Sequence, residues 1–350
     1  MRKMMIICLA ALAIPVVARA MDNNLMISGY VDGEFQAQQG PDLTTVDPND
    51  TTWKTSFGDA SHAVFWATGN PSDNVSFKTE VYYWQNNNQL ALNQANLTWS
   101  VMGDKLGVDF GKFYFPFGIE ARSRYATTNK LVTEPSAGNG VGIVGWADNG
   151  IDIHGMMKMN DQLSWSWSAA VSNGRAGTNL VTQTTDANNN NKTIGGRVEV
   201  MPMGDKLNVG GSVAYGAWDA AGDNKYILAG GHAILDYVQN LDVRGEFYWQ
   251  DVQNVAPTST NPDAKAMAFY AQGAYRYPIA GMNYIEPVVR FGWMDPNTDV
   301  SNDSFSQIAV GVGFSPVEHF TLKGEFDINN EPDAIKTDNN TFHFQGVYGW

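Results

Sequence analysis

The chain has 350 residues, with 36 Asp and Glu against 22 Lys and Arg, and a single cysteine, Cys8. So acidic a chain lacks the basic face that nucleic-acid phosphates demand, and a lone thiol excludes a disulfide-stapled scaffold or a cysteine-built metal centre. Aromatics are 12% of residues, glycine occurs 35 times, and no stretch after residue 20 is long and apolar enough for a helical span, which leaves a secreted β-sandwich and a transmembrane β-barrel open.

Residues 1–20, MRKMMIICLAALAIPVVARA, carry Arg2 and Lys3, an apolar stretch from Met4 to Val17, and Ala18-Arg19-Ala20 before Met21. That order of charge, apolar run and small residues predicts a signal peptide cleaved after Ala20. A membrane anchor is the alternative, but the apolar run is shorter than the roughly 20 residues a spanning helix needs. Cleavage removes Cys8, Arg2, Lys3 and Arg19, leaving 19 basic against 36 acidic residues and a net charge of −17. Residues 21–350 then read as one domain, because no linker marks a second.

Along that domain, apolar and polar residues alternate with period 2 and helical periodicity is almost absent. LMISGYVDGEF sets Leu25, Ile27, Val31 and Phe35 against Ser28, Tyr30, Asp32 and Glu34. NVSFKTEVYYW, LSWSWSAAVS, LDVRGEFYWQ and FTLKGEFDIN repeat the pattern. Sandwich strands usually run about five or six residues; these run roughly ten, the length that crosses a hydrocarbon band when tilted. Basic and acidic residues recur two positions apart, hence on one face: Lys78 and Glu80, Arg197 and Glu199, Arg244 and Glu246, Lys323 and Glu325. With Arg290 they are expected to line the lumen of a water-filled barrel; solvated surface charge is the alternative.

Long polar connections, such as QAQQGPDLTTVDPNDTTWKT and NGRAGTNLVTQTTDANNNN, alternate with short ones, such as MGDK, MNDQ and SPVEH. In order from Leu25 this gives about sixteen strands with both termini on the short-turn side, the asymmetry of an outer-membrane barrel with short periplasmic turns and long extracellular loops. A sandwich has no reason to sort its loops in this way. The final segment, NTFHFQGVYGW, puts Phe342, Phe344, Tyr348 and Trp350 on one face. It resembles the terminal strand that the barrel-assembly machinery recognises in outer-membrane proteins, although Trp350 stands where Phe is usual. Backbone pairing in a bilayer requires closure, so Leu25 to Phe35 should meet Thr341 to Trp350 antiparallel. At about sixteen strands the interior is wide enough for an aqueous channel.

Catalytic and cofactor signals are sparse. The five histidines, His62, His154, His232, His319 and His343, fall in no metal-ligand spacing. No GxSxG elbow occurs, and GNGVGIVG lacks the context of a phosphate cradle. The sequence therefore predicts neither metal nor cofactor and no enzyme; a barrel enzyme with rim residues stays a lesser alternative.

GKFYFPFGIEAR begins as the fifth strand, from Lys105 to about Phe115, and breaks at Pro116 and Gly118, where the lost donor and the freed backbone angles force the wall to end or bend. Gly111, Lys112 and Phe113, then Pro116, Phe117 and Gly118 with Glu120, resemble the G-[KQ]-F-x-x-P-F-G-x-E stretch of outer-membrane porins, including the phosphate-selective porin O/P and OmpL-like families. The motif covers about ten residues; the leader, strand pattern and terminal strand extend the resemblance along the chain.

The resemblance implies a third loop, from Pro116 to about Asn149, folded into the lumen to narrow it. Glu120, Arg122 and Arg124 would then stand at the constriction, with Lys130, Glu134 and Asp148 further along, and facing charges would order water across the pore. It also implies passive diffusion of small polar solutes and ions, contact with outer-membrane lipid and a homotrimer. Phosphate specificity does not carry over, because the matching region is poor in Arg and Lys. Inward acids (Asp32, Glu34, Glu80, Asp152, Glu199, Glu246, Glu286, Glu325) outnumber inward bases (Lys78, Lys158, Arg197, Arg244, Arg290, Lys323), which favours cations. A sheath around a partner such as an electron-transfer cytochrome is the alternative function, and it would need a lumen free of any folded-in loop.

Overall fold

The computed structural model describes residues 25–40, 53–57, 61–85, 88–175, 191–255, 263–332 and 339–350. The expected signal peptide and Cys8 lie outside these residues, and Arg122 is described in its backbone alone.

The strands run in chain order as β1 (Leu25–Gln39), β2 (Trp53–Phe57), β3 (His62–Ser72), β4 (Val75–Trp84), β5 (Gln89–Ser100) and β6 (Gly107–Tyr114). After a connection holding two short helices, α1 (Glu120–Ser123) and α2 (Ser136–Gly140), follow β7 (Ala147–Lys158), β8 (Ser164–Ser172), β9 (Thr193–Asp205), β10 (Leu207–Ala217), β11 (Lys225–Leu235) and β12 (Leu241–Val252). The remainder are β13 (Ala264–Tyr275), β14 (Tyr277–Pro278), β15 (Tyr284–Asp295), β16 (Phe305–Val317), β17 (Phe320–Asn330) and β18 (Thr341–Gly349). β2 and β3 are two pieces of one wall strand: β1 pairs with β2 from Phe35↔Phe57 to Gln39↔Trp53 and with β3 from Leu25↔Gly69 to Val31↔Ala63. β14 likewise continues β13 along β15, through Tyr277↔Ile285. The 18 segments, less these two continuations, make a wall of 16 strands.

Neighbours in the chain are neighbours in the sheet, and β1 closes on β18 antiparallel from Tyr30↔Gly349 to Gln38↔Thr341. Beyond β18, Trp350 and Gly29 exchange backbone hydrogen bonds of 3.0 and 3.2 Å. Closure pairs the first wall strand with the last, the condition for a sheet to stand in hydrocarbon.

Alternation decides which side chain faces which medium. On β1, Val31 points outward at 42% exposure and Tyr30 inward at 1%. Val198, Val213, Phe247, Phe269, Val289 and Val310 continue an outward apolar belt around the wall. Water-soluble monomers rarely expose so continuous an apolar surface, whereas a lipid-facing band requires it. The inward face departs from the expected polar lining over β10 to β13, where Ala214, Leu228, Ala266, Ala268 and Tyr270 are buried. The occupant that buries them is the segment between β6 and β7.

Candidate functional site

β6 leaves the wall at the stretch the sequence singles out. Gly111, at φ +116, lies so close to β5 that a Cβ would meet the Ala95 carbonyl oxygen at 2.3 Å. The Phe115 amide still pairs with the Trp146 carbonyl at 2.8 Å, and then Pro116 withholds a donor and Gly118, at φ +59, turns the chain inward. A Cβ on Gly118 would meet Glu246 Oε1 at 2.4 Å. The turn is pinned to the opposite wall: the Gly118 amide donates to Ser212 Oγ at 3.0 Å, the Ile119 amide to Glu246 Oε1 at 2.7 Å, and Arg197 Nη1 donates to the Gly118 carbonyl at 2.8 Å.

Residues 115–146 carry an apolar core of their own into the barrel. Phe115, Phe117, Ala137, Val141, Ile143 and Trp146 pack with Phe113 against the small and aromatic residues of β10 to β13 and Met294 of β15. Phe115 and Trp146 stack with ring centres 4.0 Å apart. Each of the larger apolar side chains among them contributes about 1.5–3 kcal/mol of transfer free energy, so the segment is held by packing as well as by polar contacts. Gly140 shows how tightly: a Cβ there would meet Met294 Sδ at 1.9 Å.

The inward charges serve this docking more than they line open water. Glu325 Oε2 accepts the amides of Val132 (2.5 Å) and Thr133 (2.8 Å), and its Oε1 accepts Thr133 Oγ1 at 2.7 Å and Arg290 Nη2 at 3.3 Å. Arg290 also donates to the Thr133 carbonyl at 2.8 Å. Lys323 Nζ donates to the carbonyls of Ala126, Asn129 and Leu131 at 2.6, 2.8 and 3.1 Å, and Lys130 pairs with Glu286 at 2.9 Å. Glu80 accepts Tyr125 at 2.5 Å, Tyr114 at 2.7 Å and Trp66 at 3.1 Å. Glu246 adds Tyr248 at 2.6 Å to its bond from Ile119. Of the same-strand pairs, Arg197 and Glu199 do meet, at 3.4 Å, while Arg244 turns to Asp242 instead of Glu246. Lys78 stays half-buried beside a cavity.

Among the constriction residues named by sequence, Glu120 is buried and accepts a hydrogen bond from Tyr270, whose hydroxyl also lies 3.3 Å from Glu246. Burial raises the Glu120 carboxyl above the ordinary carboxylate range, the Tyr270 donor opposing and nearby Glu134 reinforcing the shift. Arg124 lies over the rings of Tyr82 (5.3 Å) and Trp84 (5.9 Å) and pairs with Glu134 at 3.4 Å. Burial works against its charge, but Glu134 and the hydroxyls of Tyr114, Tyr82 and Tyr125 outweigh it and hold the guanidinium above its ordinary pKa. Asp148 is buried, taking the Asn149 and Gly174 amides at 2.7 and 2.6 Å. Lys112, on the strand before the turn, is half-buried.

Space remains on both sides of the segment. Toward the short turns lie cavities of about 680 and 590 Å³ that share Asp109, Tyr114 and Ala121. The larger is acidic, with Asp104, Asp109, Asp152 and Glu199 against Arg197. Toward the longer connections is a cavity of about 230 Å³ bordered by Glu34, His62, Trp84, Arg124, Glu134 and His343. An aromatic layer stands between them: Tyr125 borders the lower space and Tyr30 the upper, their rings 6.4 Å apart, with Trp66 at 5.0 Å from Tyr125.

Sequence reading passed over several residues here. Arg175 reaches back to the Val141 carbonyl at 3.2 Å and lies over Trp146 at 5.4 Å; burial lowers its pKa to about 10. Tyr270, Tyr248, Ser212 and Thr133 are anchors with no motif to mark them. The one signal was compositional: Ala and Gly at inward positions, such as Ala266, Ala268 and Gly230, leave room for something to pack, and a Cβ on Gly230 would meet the Phe117 ring at 3.1 Å.

No protein-family model matches the chain, and no curated protein matches it. Solved structures do. An anion-selective porin from Comamonas acidovorans superposes with a TM-score of 0.66 at 13% identity, over 93% of this chain and 99% of that one. Salmonella typhi OmpF in complex with daunomycin gives 0.64 at 12% identity, over 94% and 98%. The trimer form of OmpT, an outer membrane protein of Vibrio cholerae, gives 0.61 at 10% identity, over 93% and 99%. The closed antiparallel barrel of this chain thus has a porin-type fold over 93–94% of its length.

Proposed function

We propose that the protein is an outer-membrane porin: a water-filled channel for passive diffusion of small hydrophilic solutes and ions, narrowed by residues 115–146. The observation that carries this reading is a segment docked across the lumen of a closed barrel, with cavities left open on either side of it. Arg124 with Glu134 forms the charged border of the upper space. The apolar belt supports lipid contact, the short-turn end the periplasmic side, and β18 with Trp350 recognition by the barrel-assembly machinery. The trimer form of the Vibrio cholerae neighbour supports a homotrimer.

Cation preference is favoured by the acidic lower vestibule and by a net charge of −14, which becomes −17 if residues 1–20 are removed; the selectivity named for the Comamonas acidovorans porin is not carried over at 13% identity. The motif from Gly111 to Glu120 supports a place near the phosphate-selective porin O/P and OmpL-like families, without the basic array that phosphate demands. A sheath for a cytochrome finds little support, because the lumen already holds its own segment, and the reading assigns no chemical reaction to the barrel. Liposome swelling tests the channel reading: vesicles carrying the purified protein should swell in small sugars at rates that fall with solute size. Swelling no faster than protein-free vesicles would remove it.

A further inference from the structure

Three ligand atoms of the kinds a transition metal prefers converge on the wall of the lower vestibule. The register places Asp109 of β6 opposite Asp152 of β7 and Gly107 opposite His154, so Asp109, Asp152 and His154 share one inward patch. One donor atom from each lies within 4.8 Å of the other two. His154 Nδ1 is 3.7 Å from Asp152 Oδ2 and 4.0 Å from Asp109 Oδ2.

Each carboxylate is held by its other oxygen. Thr98 Oγ1 donates to Asp109 Oδ1 at 2.5 Å, and Ser168 Oγ donates to Asp152 Oδ1 at 2.6 Å. Those hydroxyls come from the flanking strands β5 and β8 and leave both Oδ2 atoms turned toward the imidazole. Outer-shell donors of this sort orient metal ligands and fix their geometry. Gly107 makes room for the ring: a Cβ there would meet His154 Nε2 at 2.6 Å. The site opens on the cavity of about 680 Å³, so an ion reaches it from water and keeps water on its remaining positions. The basic residue of the same cavity, Arg197, is engaged with Glu199 and the Gly118 carbonyl.

We infer that Asp109, Asp152 and His154 form a binding site for a divalent transition-metal ion of the zinc class on the channel wall. Zinc holds imidazole nitrogen and carboxylate oxygen at about 2.0–2.2 Å, which sets two ligands of a tetrahedral ion about 3.3 Å apart. The present His154 spacings of 3.7 and 4.0 Å, with all three ligand atoms inside 4.8 Å of one another, close to that with side-chain shifts of up to about an ångström. One imidazole with two carboxylates suits zinc and its neighbours over calcium or magnesium, which take oxygen shells. Bound there, the ion replaces an acidic patch with a neutral or cationic one at the mouth of the constriction.

Calorimetric titration of the purified full-length barrel with zinc chloride reads the binding directly, whether or not the barrel conducts. The expected result is one zinc per chain, no comparable uptake of magnesium, and loss of the step in His154→Ala. Asp109→Asn and Asp152→Asn keep the side-chain shape and should each abolish the step in a barrel whose heat-modifiable gel mobility is that of the parent. Thr98→Val with Ser168→Ala should weaken binding by about tenfold to a hundredfold, the cost of lost outer-shell partners. His319→Asn, at the short-turn end, should change nothing. No zinc uptake by the parent, or unchanged uptake in the Asn variants, overturns the assignment.

Discussion

Replacing Glu325 with Gln should loosen the segment that narrows the lumen while leaving the wall intact. In the parent, Glu325 takes the amides of Val132 and Thr133 and the Thr133 hydroxyl, and it faces Arg290 with both side chains almost fully buried. Gln retains one acceptor oxygen, turns an amide donor toward Arg290 or the backbone donors, and removes the charge that neutralises Arg290. Charge-assisted bonds contribute about 1.5–3 kcal/mol each, and stripping one partner from a buried pair costs about 3–5 kcal/mol. Allowing for the bonds Gln keeps, docking should weaken by about 3 kcal/mol, or roughly 150-fold in the ratio of docked to released segment. Strand pairing between β16, β17 and β18 is made by backbone groups and is untouched.

Leu131 supplies the assay. It is 1% exposed, packed against Ala274, Val288 and Ala309, so a Leu131→Cys thiol reacts only when the segment lifts. In a Cys8→Ser background, a water-soluble thiol reagent should label Leu131→Cys about a hundredfold faster once Glu325→Gln is added, in line with the docking loss. A rise below about threefold, with the barrel's gel mobility unchanged, would refute the claim that Glu325 anchors the segment.

Other substitutions probe other parts of the same arrangement. Because the docked Glu120 carboxyl is raised above its released value, the docked state binds the extra proton: docking is favoured at low pH and weakens as pH rises through the docked pKa. Labelling of Leu131→Cys should therefore quicken with pH beyond the reagent's own dependence, and Glu120→Gln should flatten that excess against the Tyr270, Glu246, Glu134, Arg244 and Arg290 groups around it. Gly118→Ala adds a side chain at φ +59 and a Cβ within 2.4 Å of Glu246 Oε1, so it should cost docking about 1–2 kcal/mol or more, read by the same labelling rate. Arg124→Ala removes the cation that borders the upper cavity beside Glu134, and the zero-current potential in a salt gradient should shift toward stronger cation preference.

The wall was legible because each face of each strand meets one medium. Leu25 to Phe35 and the run to Trp350 alternate cleanly, and bilayer chemistry requires the first strand to meet the last, as they do from Tyr30↔Gly349 onward. The exit at Pro116 and Gly118 was legible because each acts on the backbone locally, Pro116 by withholding a donor and Gly118 by admitting a positive φ. What the charges do was not, since a two-residue spacing fixes a face but says nothing of what crosses the lumen to meet it. Hence Lys323 was expected beside Glu325 in open water and instead holds three carbonyls, and Arg244 turned to Asp242. The inward apolar patch around Ala214, Leu228 and Ala268 breaks the polar-in pattern for the same reason: its partner is 115–146, far away in the chain. Asp109 and His154 came together only through the pairing of β6 with β7, which no linear ligand spacing records.

Conductance tests the central claim most directly. Purified protein added to one side of a planar lipid bilayer should produce discrete, stepwise increases in ion current, with more frequent excursions to a larger conductance in the Glu325→Gln barrel whose segment is loosened. A folded, membrane-inserted barrel that stays electrically silent in both forms would contradict the account.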